Sequence, residues 1–428
     1  MNKKILIFLI CNLQFTICNL FSQNPQWLVY TYQNSGLPSN NVGSIIIDSN
    51  NIKWIGTDNG MARFDGNNWL VYDTNNTPLR GNGIVPLSKD KYNRLWIIDA
   101  SQYNRYGISR FDGINWITYD SNNSGLPSNW VFAINIDIYN SKWIGTDKGL
   151  AIFNDSNWII FNTSNSGIPN NNVVAITIDT NNVKYVGTMN SGVGRFNDIN
   201  WNIYRDTNSG LPTDFIMCMA TDKLNNIWIG TQFGGIAKFN YNQNSWIVYN
   251  PGNSGMPDGN LASVLTQGHI KWIGTQSGGL AKYNDTNWVI FNTSNSPIPY
   301  NYITYLALDS LKNLWIATPT GLAEYNPNGI IGIENLGKQI PQTILLFQNY
   351  PNPFNPKSNI KYQMTKSGYV KLIVYDILGK EVTTLINEKL SPGTYEAEFD
   401  GSNLSSGVYF YRIESGDFVQ SKKMVLVK

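Results

Sequence analysis

Charged residues, cysteine and histidine are scarce in this chain of 428 residues. Asp, Glu, Lys and Arg make up 14% of it, and it has three Cys and one His. Only two lysines and no acidic residues precede residue 23, so the rest of the chain has 29 basic and 29 acidic side chains. Nucleic acids and anionic membrane surfaces are recognised through concentrated positive charge. Neither is therefore an expected partner.

The low cysteine content also limits redox and metal chemistry. Cys11 and Cys18 lie near the start of the chain, which leaves Cys218 without a partner for an internal disulfide. We interpret Cys218 as a small buried apolar side chain rather than a reactive thiol. The sequence shows no Cys/His metal cluster, glycine-rich phosphate loop or serine nucleophile elbow. We therefore expect no metal and no cofactor.

Long apolar runs are absent except at the start of the chain. Residues 5–21 form one such run between the basic pair Lys3 and Lys4 and the small residue Ser22. This pattern predicts a signal peptide at residues 1–22 that is removed on export. No other run approaches the ~20 apolar residues of a membrane-spanning helix. The mature chain is expected to be secreted or attached to the outer surface, without an integral membrane segment.

A short aromatic motif, by contrast, is abundant. The stretch "KWIGT" around Trp54 returns in variant form at intervals of 42 to 47 residues. The later anchors are Trp96, Trp143, Tyr185, Trp228, Trp272 and Trp315. A period of about 40–45 residues made of short strands is typical of a β-propeller, in which each repeat forms one four-stranded blade.

Alternating apolar residues predict four strands, A to D, in each repeat. The last repeat lacks a D strand, whereas "WLVYTY" from Trp27 matches the D pattern ahead of the first repeat. We predict that the Trp27 strand pairs with strand C of the last repeat and closes the ring. The expected fold is all-β, with a seven-bladed β-propeller at residues 23–326 followed by a small antiparallel β-sandwich.

Two polar connections recur with the strands. An Asp-led turn, such as "DSNN" at Asp48, joins strands A and B and suits a tight hairpin. The stretch "NSGLP" at Asn34 recurs between strand D of one repeat and strand A of the next. We interpret the first connection as a turn and the second as a joint between blades.

The "NSGLP" and "WIGT" stretches resemble the two-component regulator propeller repeat over residues 25–326. The resemblance implies seven repeats. Repeats of this family also form the periplasmic sensor portions of hybrid histidine kinases that detect polysaccharide fragments. No kinase or DNA-binding region follows in this sequence, so direct signalling by this chain is not expected.

A different pattern follows the repeats. Residues 327–343 are interpreted as a linker, and alternation from residue 344 to 428 predicts an antiparallel β-sandwich. With "NYPNPFNP" at Asn349 and "KKMVLVK" at Lys422, this region resembles the type A C-terminal sorting domain of the type IX secretion system in Bacteroidetes-like, Gram-negative bacteria. The resemblance implies that residues 344–428 bind the secretion machinery, and that the cargo is then released or attached to the cell surface.

Positions where the repeat departs from its own pattern are candidates for a ligand site. Just before strand A, three repeats have Trp130, Phe215 and Tyr302, whereas three others have Asn. In propellers the D–A and B–C connections lie on one face, around the mouth of the central channel. We therefore expect these aromatic side chains to surround that mouth.

The B–C turn of the second repeat is a second departure. It expands to "DASQYNRYG" and presents Tyr103, Arg105 and Tyr106, close to Arg80 in an irregular joint. Aromatic faces and guanidinium groups suit sugar rings, uronate carboxylates or peptide segments. We hypothesise carbohydrate binding or protein binding at the channel mouth by these residues together with Trp130, Phe215 and Tyr302.

Two other functions remain open. A polysaccharide lyase could use Tyr103, Arg105 and Tyr106, whereas His269 falls in an A–B turn that is expected on the opposite face. An ultraviolet assay for unsaturated uronate products separates such a lyase from simple binding. A purely structural surface protein would show neither turnover nor ligand binding, but would associate with other surface proteins.

Overall fold

The computed structural model describes residues 26–101, 104–327, 344–365, 368–390, 393–416 and 418–428. The predicted signal peptide, Tyr103 and all of the predicted linker after Pro327 lie outside these residues. The regular elements of the described ranges are β-strands. None of these ranges contains a helix that is long and apolar enough to cross a membrane. The chain divides into two compact units between Pro327 and Asn328. The all-β prediction is confirmed.

The first unit contains seven four-stranded antiparallel sheets within its described residues. In chain order its strands are β1 (Trp27–Tyr30), β2 (Val42–Ile47), β3 (Lys53–Thr57), β4 (Gly60–Phe64), β5 (Trp69–Tyr72), β6 (Gly83–Lys89), β7 (Leu95–Ala100), β8 (Arg105–Phe111), β9 (Trp116–Tyr119), β10 (Val131–Ile136), β11 (Lys142–Thr146), β12 (Gly149–Phe153), β13 (Trp158–Phe161), β14 (Val173–Ile178), β15 (Lys184–Thr188), β16 (Val193–Phe196), β17 (Trp201–Tyr204), β18 (Ile216–Thr221), β19 (Asn226–Thr231), β20 (Ile236–Asn240), β21 (Ser245–Tyr249), β22 (Leu261–Gln267), β23 (Ile270–Thr275), β24 (Leu280–Tyr283), β25 (Trp288–Phe291), β26 (Tyr305–Leu308), β27 (Leu314–Thr318) and β28 (Gly321–Tyr325).

The seven sheets are the blades of a β-propeller. Blades one to six each consist of four consecutive strands, starting with β2, β6, β10, β14, β18 and β22. These inner strands contact one another in that order, and β26 contacts both β22 and β2, so the series closes into a ring. The seven-bladed propeller expected from the repeat period is confirmed.

The seventh blade combines the two ends of the propeller. Its strand order is β1-β28-β27-β26, and Trp27 in β1 pairs with Tyr325 in β28, as the Trp27 motif predicts. The buried Trp27 ring lies 4.6 Å from the Tyr325 ring and 5.5 Å from the Phe291 ring of blade six. The first strand therefore completes a sheet and also packs against the neighbouring blade.

In six of the seven blades a hydrogen bond links the A–B hairpin to the tryptophan of strand B, whereas blade four has Tyr185 at this position. Oδ1 of Asp222 accepts the backbone N–H groups of Leu224 and Asn226, while Oδ2 accepts Nε1–H of the buried Trp228 at 3.0 Å. The same carboxylate–indole bond occurs at Asp48–Trp54, Asp90–Trp96, Asp137–Trp143 and Asp309–Trp315. In blade six, Gln267 accepts from Trp272 instead.

The role of the Asp was thus only partly predicted. The turn was expected, but the indole partner was missed, although the constant six-residue spacing between Asp and Trp is visible in the sequence. A buried indole N–H needs an acceptor, and the turn carboxylate supplies it without a contribution from another blade.

Lysine side chains pack between several neighbouring blades. Nζ of the buried Lys142 in blade three lies 5.0 Å from the Trp96 ring centroid of blade two and pairs with Asp155. Burial lowers the pKa of Lys142, although the Asp155 carboxylate opposes this shift. Equivalent contacts join Lys53 to Trp315, Lys184 to Trp143 and Lys271 to Trp228. The aliphatic stem fills the gap that Leu or Ile fills in other blades.

The second unit is a small sandwich of two sheets, which confirms the predicted fold of the C-terminal region. One sheet has the order β29-β30-β33 and the other β32-β31-β34-β35. Their buried side chains form one core. The strands are β29 (Leu345–Leu346), β30 (Lys357–Met364), β31 (Gly368–Tyr375), β32 (Glu381–Leu390), β33 (Gly393–Asp400), β34 (Gly407–Ser415) and β35 (Phe418–Leu426).

We predict that Trp27→Ala lowers the free energy of unfolding by about 3–5 kcal/mol, because it removes a buried indole from the seam that closes the ring. Urea unfolding followed by circular dichroism measures this change. The matched control is Leu70→Ala in the outer strand of blade one, where the side chain is exposed and the expected loss is below about 0.5 kcal/mol. Equal losses in the two variants would contradict the proposed importance of the seam.

Candidate functional site

One face of the propeller is formed by the D–A joints and the B–C turns, and we call it the joint face. The carbonyl of Trp130, in a joint, accepts the backbone N–H of Asp147 in the B–C turn of blade three at 3.2 Å. The carbonyl of Phe215 accepts from Gln232 of blade five at 3.0 Å. The same bond occurs at Asn41–Asp58, Asn172–Met189 and Asn260–Gln276. These joint residues therefore occupy equivalent positions on one face.

Tyr302 lies at the corresponding position of blade seven, but its surroundings differ. Pro319 follows Thr318 where the other B–C turns have a residue with a backbone N–H, so the equivalent bond cannot form. The Tyr302 side chain is partly buried. Its blade departs from the others in backbone bonding as well as in residue type.

Trp130 and Arg105 form the first pair of predicted site residues that the structure brings together. The guanidinium carbon of Arg105 lies 5.7 Å from the Trp130 ring centroid, and Trp130 remains 49% exposed. Burial lowers the pKa of the Arg105 guanidinium below its usual value. The pair presents an aromatic face beside a cation on the joint face.

Arg80 and Tyr106 form the second pair. The Arg80 guanidinium lies 5.4 Å from the Tyr106 ring and donates to the Tyr106 carbonyl. It also forms a 2.8 Å ion pair with Asp120, and this hydrogen bond helps to lower the pKa of Asp120. Arg80 thus already has a carboxylate partner, which makes it less suited to a uronate than the sequence suggested.

Asp99 holds the irregular joint in place and was missed by sequence reasoning. Its buried carboxylate accepts the backbone N–H groups of Arg80 at 3.0 Å and Gly81 at 2.9 Å. Burial raises the pKa of Asp99. Other blades have Thr here, and Oγ1 of Thr57, for example, donates to the carbonyl of Gly60. The replacement of "WIGT" by "WIID" was the available signal.

The predicted residues do not all meet in one place. The two pairs lie in and beside blade two, whereas Phe215 belongs to blade five and Tyr302 to blade seven. No ring contact or cation–π contact in the described part of the chain links Phe215 or Tyr302 to either pair. The seven-residue site therefore stays a prediction.

Two depressions on the joint face involve other residues. The larger has a volume of about 510 Å³, and its lining includes Tyr32, Asn40 and Asp58. The smaller has a volume of about 260 Å³, and its lining includes Tyr300 and Asn301. Sequence reasoning missed both because their Asn, Asp and Ser residues occur in nearly every repeat.

The opposite face carries the A–B and C–D turns, and we call it the turn face. His269 in an A–B turn is exposed, and its Nδ1 lies 3.4 Å from Oδ2 of Asp285 in a C–D turn. This geometry places His269 away from the joint face. In the ranges that the structure describes, no group of three or more His, Cys, Asp or Glu side chains could hold a metal ion.

Two family profiles match this chain. The profile of the two component regulator propeller matches residues 210–233, within blade five and the joint before it. The profile of the secretion system C-terminal sorting domain matches residues 348–428. The chain is thus a propeller protein with a two component regulator propeller repeat and a secretion system sorting domain. The sorting domain indicates a secreted or surface protein that interacts with secretion machinery.

Solved structures with the same fold include three instructive neighbours. The extracellular domain of BT3049 from B. thetaiotaomicron, assigned to a hybrid two component system, has a TM-score of 0.62 and 18% identity over 95% of this chain and 58% of its own. PorZ, a surface component of the type-IX secretion system of Porphyromonas gingivalis, has a TM-score of 0.57 and 17% identity over 92% and 60%. Virginiamycin B lyase from Staphylococcus aureus has a TM-score of 0.55 and 12% identity over 70% and 98%.

These similarities define the fold alone, because each identity is below 25%. This chain spans about three-fifths of the length of the first two neighbours. No curated protein is similar enough in sequence to count as a relative.

Cys218 is a partly buried residue in the inner strand of blade five, where its thiol packs against the neighbouring strand. A methyl group at Gly230 would come within 2.4 Å of its sulfur atom, so the two residues pack closely. Burial raises the pKa of the Cys218 thiol to about 12. Cys218 was predicted to be a buried apolar side chain; it is only partly buried, but the raised pKa disfavours a reactive thiolate.

We predict that Cys218 resists alkylation in the folded protein, because a thiol with a pKa of about 12 forms very little thiolate at mildly alkaline pH. The chain without residues 1–22 would be treated with iodoacetamide and examined by mass spectrometry. N-acetylcysteine in the same reaction serves as the free-thiol control, and labelling in concentrated guanidinium shows that the residue can react once exposed. Native labelling as fast as that of the control would contradict the raised pKa of the thiol.

Proposed function

We propose that the propeller is a recognition module outside the cell, with a glycan or protein ligand on its joint face. The main support is the 49% exposed Trp130, which occupies a position filled by Asn in blades one, four and six. Packing of the blades does not require an aromatic residue there, since Asn41, Asn172 and Asn260 form the same backbone bond. An exposed ring in such a position suits ligand contact.

The pairing of Trp130 with Arg105 supports the same proposal. A cation over one side of an indole restricts the motion of the ring and leaves a fixed aromatic surface for a ligand. Arg80 contributes less directly, because Asp120 and the Tyr106 carbonyl occupy its guanidinium. In this proposal the indole of Trp130 makes the main contact, and Arg80 supports the joint.

Export completes the proposal. Residues 1–22 act as a cleaved signal peptide in a Gram-negative bacterium, and residues 344–428 act as the address for type IX secretion. The sandwich fold and the sorting-domain profile support this division of roles. The propeller at residues 23–326 is the cargo, which is either released or held at the cell surface.

The proposal does not include lyase activity. The similarity to virginiamycin B lyase rests on 12% identity and shows a common fold only. The single histidine, His269, is exposed on the turn face, and the described contacts of Arg105 and Tyr106 are with Trp130 and Arg80. The ultraviolet assay for unsaturated uronates tests this alternative directly.

We predict that the chain without residues 1–22 binds at least one ligand on a combined glycan and peptide array. Joint replacement of Trp130, Phe215 and Tyr302 by Asn should weaken that binding at least tenfold, because it removes the exposed aromatic surface. The affinity of each hit would be measured by isothermal titration calorimetry.

Tyr139→Asn is the matched control, because Tyr139 is an exposed aromatic residue in an A–B turn on the turn face. It should leave binding unchanged. If the folded protein binds nothing on the array, the proposal fails and a structural role is favoured. If the triple variant keeps full affinity, the ligand site lies elsewhere.

We predict that deletion of residues 344–428 retains the propeller inside the cell envelope of a host that has type IX secretion, because the address is lost. Immunoblots of periplasm, cell surface and medium would locate the protein. Fusion of residues 344–428 to an exported fluorescent protein is the converse test and should send it to the surface or medium. Normal delivery of the truncated chain would refute the assigned role.

A further inference from the structure

Connections of blades four and five that are bonded to one another carry three exposed large apolar side chains on the joint face. Met189 is 53% exposed, Phe215 is 43% exposed and Phe233 is 73% exposed. Backbone bonds connect their segments: Gly192 N–H donates to the carbonyl of Asp214, and Gln232 N–H donates to that of Phe215. We call Met189, Phe215 and Phe233 the apolar ridge.

Phe233 has an unusual backbone conformation. Its φ angle is 70°, in the left-handed region that large side chains rarely adopt. The other non-glycine residues with positive φ in the described ranges are Asn and Asp residues and Lys312. The equivalent positions in blades four and six are Asn190 and Ser277, in turns of the same length. A turn of this length therefore requires neither a phenylalanine at this position nor a positive φ angle.

The surroundings hold Phe233 in this position. Its backbone N–H donates to Oδ1 of Asn260 at 3.0 Å. Two residues later, Gly235 N–H donates to the carbonyl of Gly259 at 3.0 Å. The turn is thus tied to the following joint on both sides of the Phe233 side chain. A strained residue that the fold holds in place and exposes to solvent points to a role in contact with a partner.

The Asp258 carboxylate beside the ridge is bonded to neighbouring groups. Oδ1 of Asp258 accepts from Asn260, and Oδ2 accepts from the backbone and hydroxyl of Ser277. Burial works against ionisation of Asp258, but these hydrogen bonds outweigh it and lower its pKa. The Asp258 carboxylate is thus already occupied by hydrogen bonds, which leaves less of it for the hydroxyls of a sugar, while its negative charge remains.

Charge around the ridge is negative. The joint before Phe215 contains Asp206 and Asp214 with one cation, Arg205, and the joint after Phe233 contains Asp258. Phe and Met are enriched in the cores of protein interfaces, and acidic flanks attract basic partners. The ridge and its flanks therefore match a peptide in which an apolar side chain is flanked by lysine or arginine.

We propose that the apolar ridge binds a basic peptide segment of a protein partner, with Phe233 as the main contact of its apolar side chain. This inference rests on the proposed recognition function and assigns its partner class. It adds Phe233 and Met189, which were not among the predicted site residues. Phe233 confers specificity through its exposed ring, and the segment of blade five that carries it is held by Asn260.

The test uses the whole chain without residues 1–22 and synthetic peptides in fluorescence anisotropy. One peptide series has a central Leu, Phe or Met flanked by lysines, a second has Ala at the centre, and a third has glutamates as flanks. We expect binding of the first series alone, with affinity that falls as salt rises. Phe233→Asn should weaken this binding at least tenfold.

Phe233→Asn also separates a binding role from a structural one. Asn tolerates the left-handed conformation and stands at the equivalent position of blade four. The thermal midpoint of unfolding should therefore stay unchanged or rise by about 2 °C while binding is lost. Tyr139→Asn on the turn face is the matched control and should change neither property. A clear fall in the midpoint of Phe233→Asn would show a structural role and overturn the inference.

Failure of this inference differs from failure of the proposed function. If no peptide binds but a glycan from the array binds equally to wild type and Phe233→Asn, the inference is overturned and the recognition function stands. If Phe233→Asn abolishes glycan binding, the ridge is a glycan site and the assigned partner class is wrong. If neither peptides nor glycans bind, both proposals are overturned.

Discussion

The hydrogen bond from a strand-B tryptophan to the Asp of its own A–B turn is the constraint on which the propeller depends. The tryptophans fill the space between neighbouring blades, and a buried indole N–H without an acceptor would destabilise the fold. Asp222 forms its turn with one carboxylate oxygen and satisfies Trp228 with the other. Because the hairpin of each strand-B tryptophan provides the acceptor, the faces of the indole remain available to the next blade, where Lys271 packs against Trp228.

A ring of such blades needs a closed seam, and the chain achieves this with its first strand. Each blade packs only against its neighbours, so an open seventh blade would expose both a sheet edge and an apolar face. Pairing of Trp27 with Tyr325 covers both. The strands then provide the stability of the propeller, and the connections on the joint face are free to vary.

That freedom is used in two chemically different ways around the ring. Beside blade two, Asp99 accepts the backbone N–H of Arg80, and the Arg80 guanidinium pairs with Asp120. These charged groups therefore mainly hold the joint in position. Near blades four and five, Phe215 and Phe233 are exposed, and hydrogen bonds lower the pKa of the neighbouring Asp258 against the effect of burial. In the proposed recognition role, this face therefore offers exposed rings more than free guanidinium groups. The sorting domain is a separate unit with its own core, which suits its proposed role as an address for the propeller.

The sequence by itself determined the fold class, the seven anchors and the sandwich, because burial repeats in a period that composition and spacing reveal. The displaced Trp27 strand was also predictable, since one D motif was missing at the end and present at the start. The tertiary structure alone decided which exposed residues are neighbours. Arg105 in blade two contacts the ring of Trp130 in the joint before blade three. Arg80 forms a hydrogen bond with Asp120, forty residues later. Phe233 looked like an ordinary turn residue, because a backbone conformation and the exposure of a side chain depend on contacts between blades that no local pattern records.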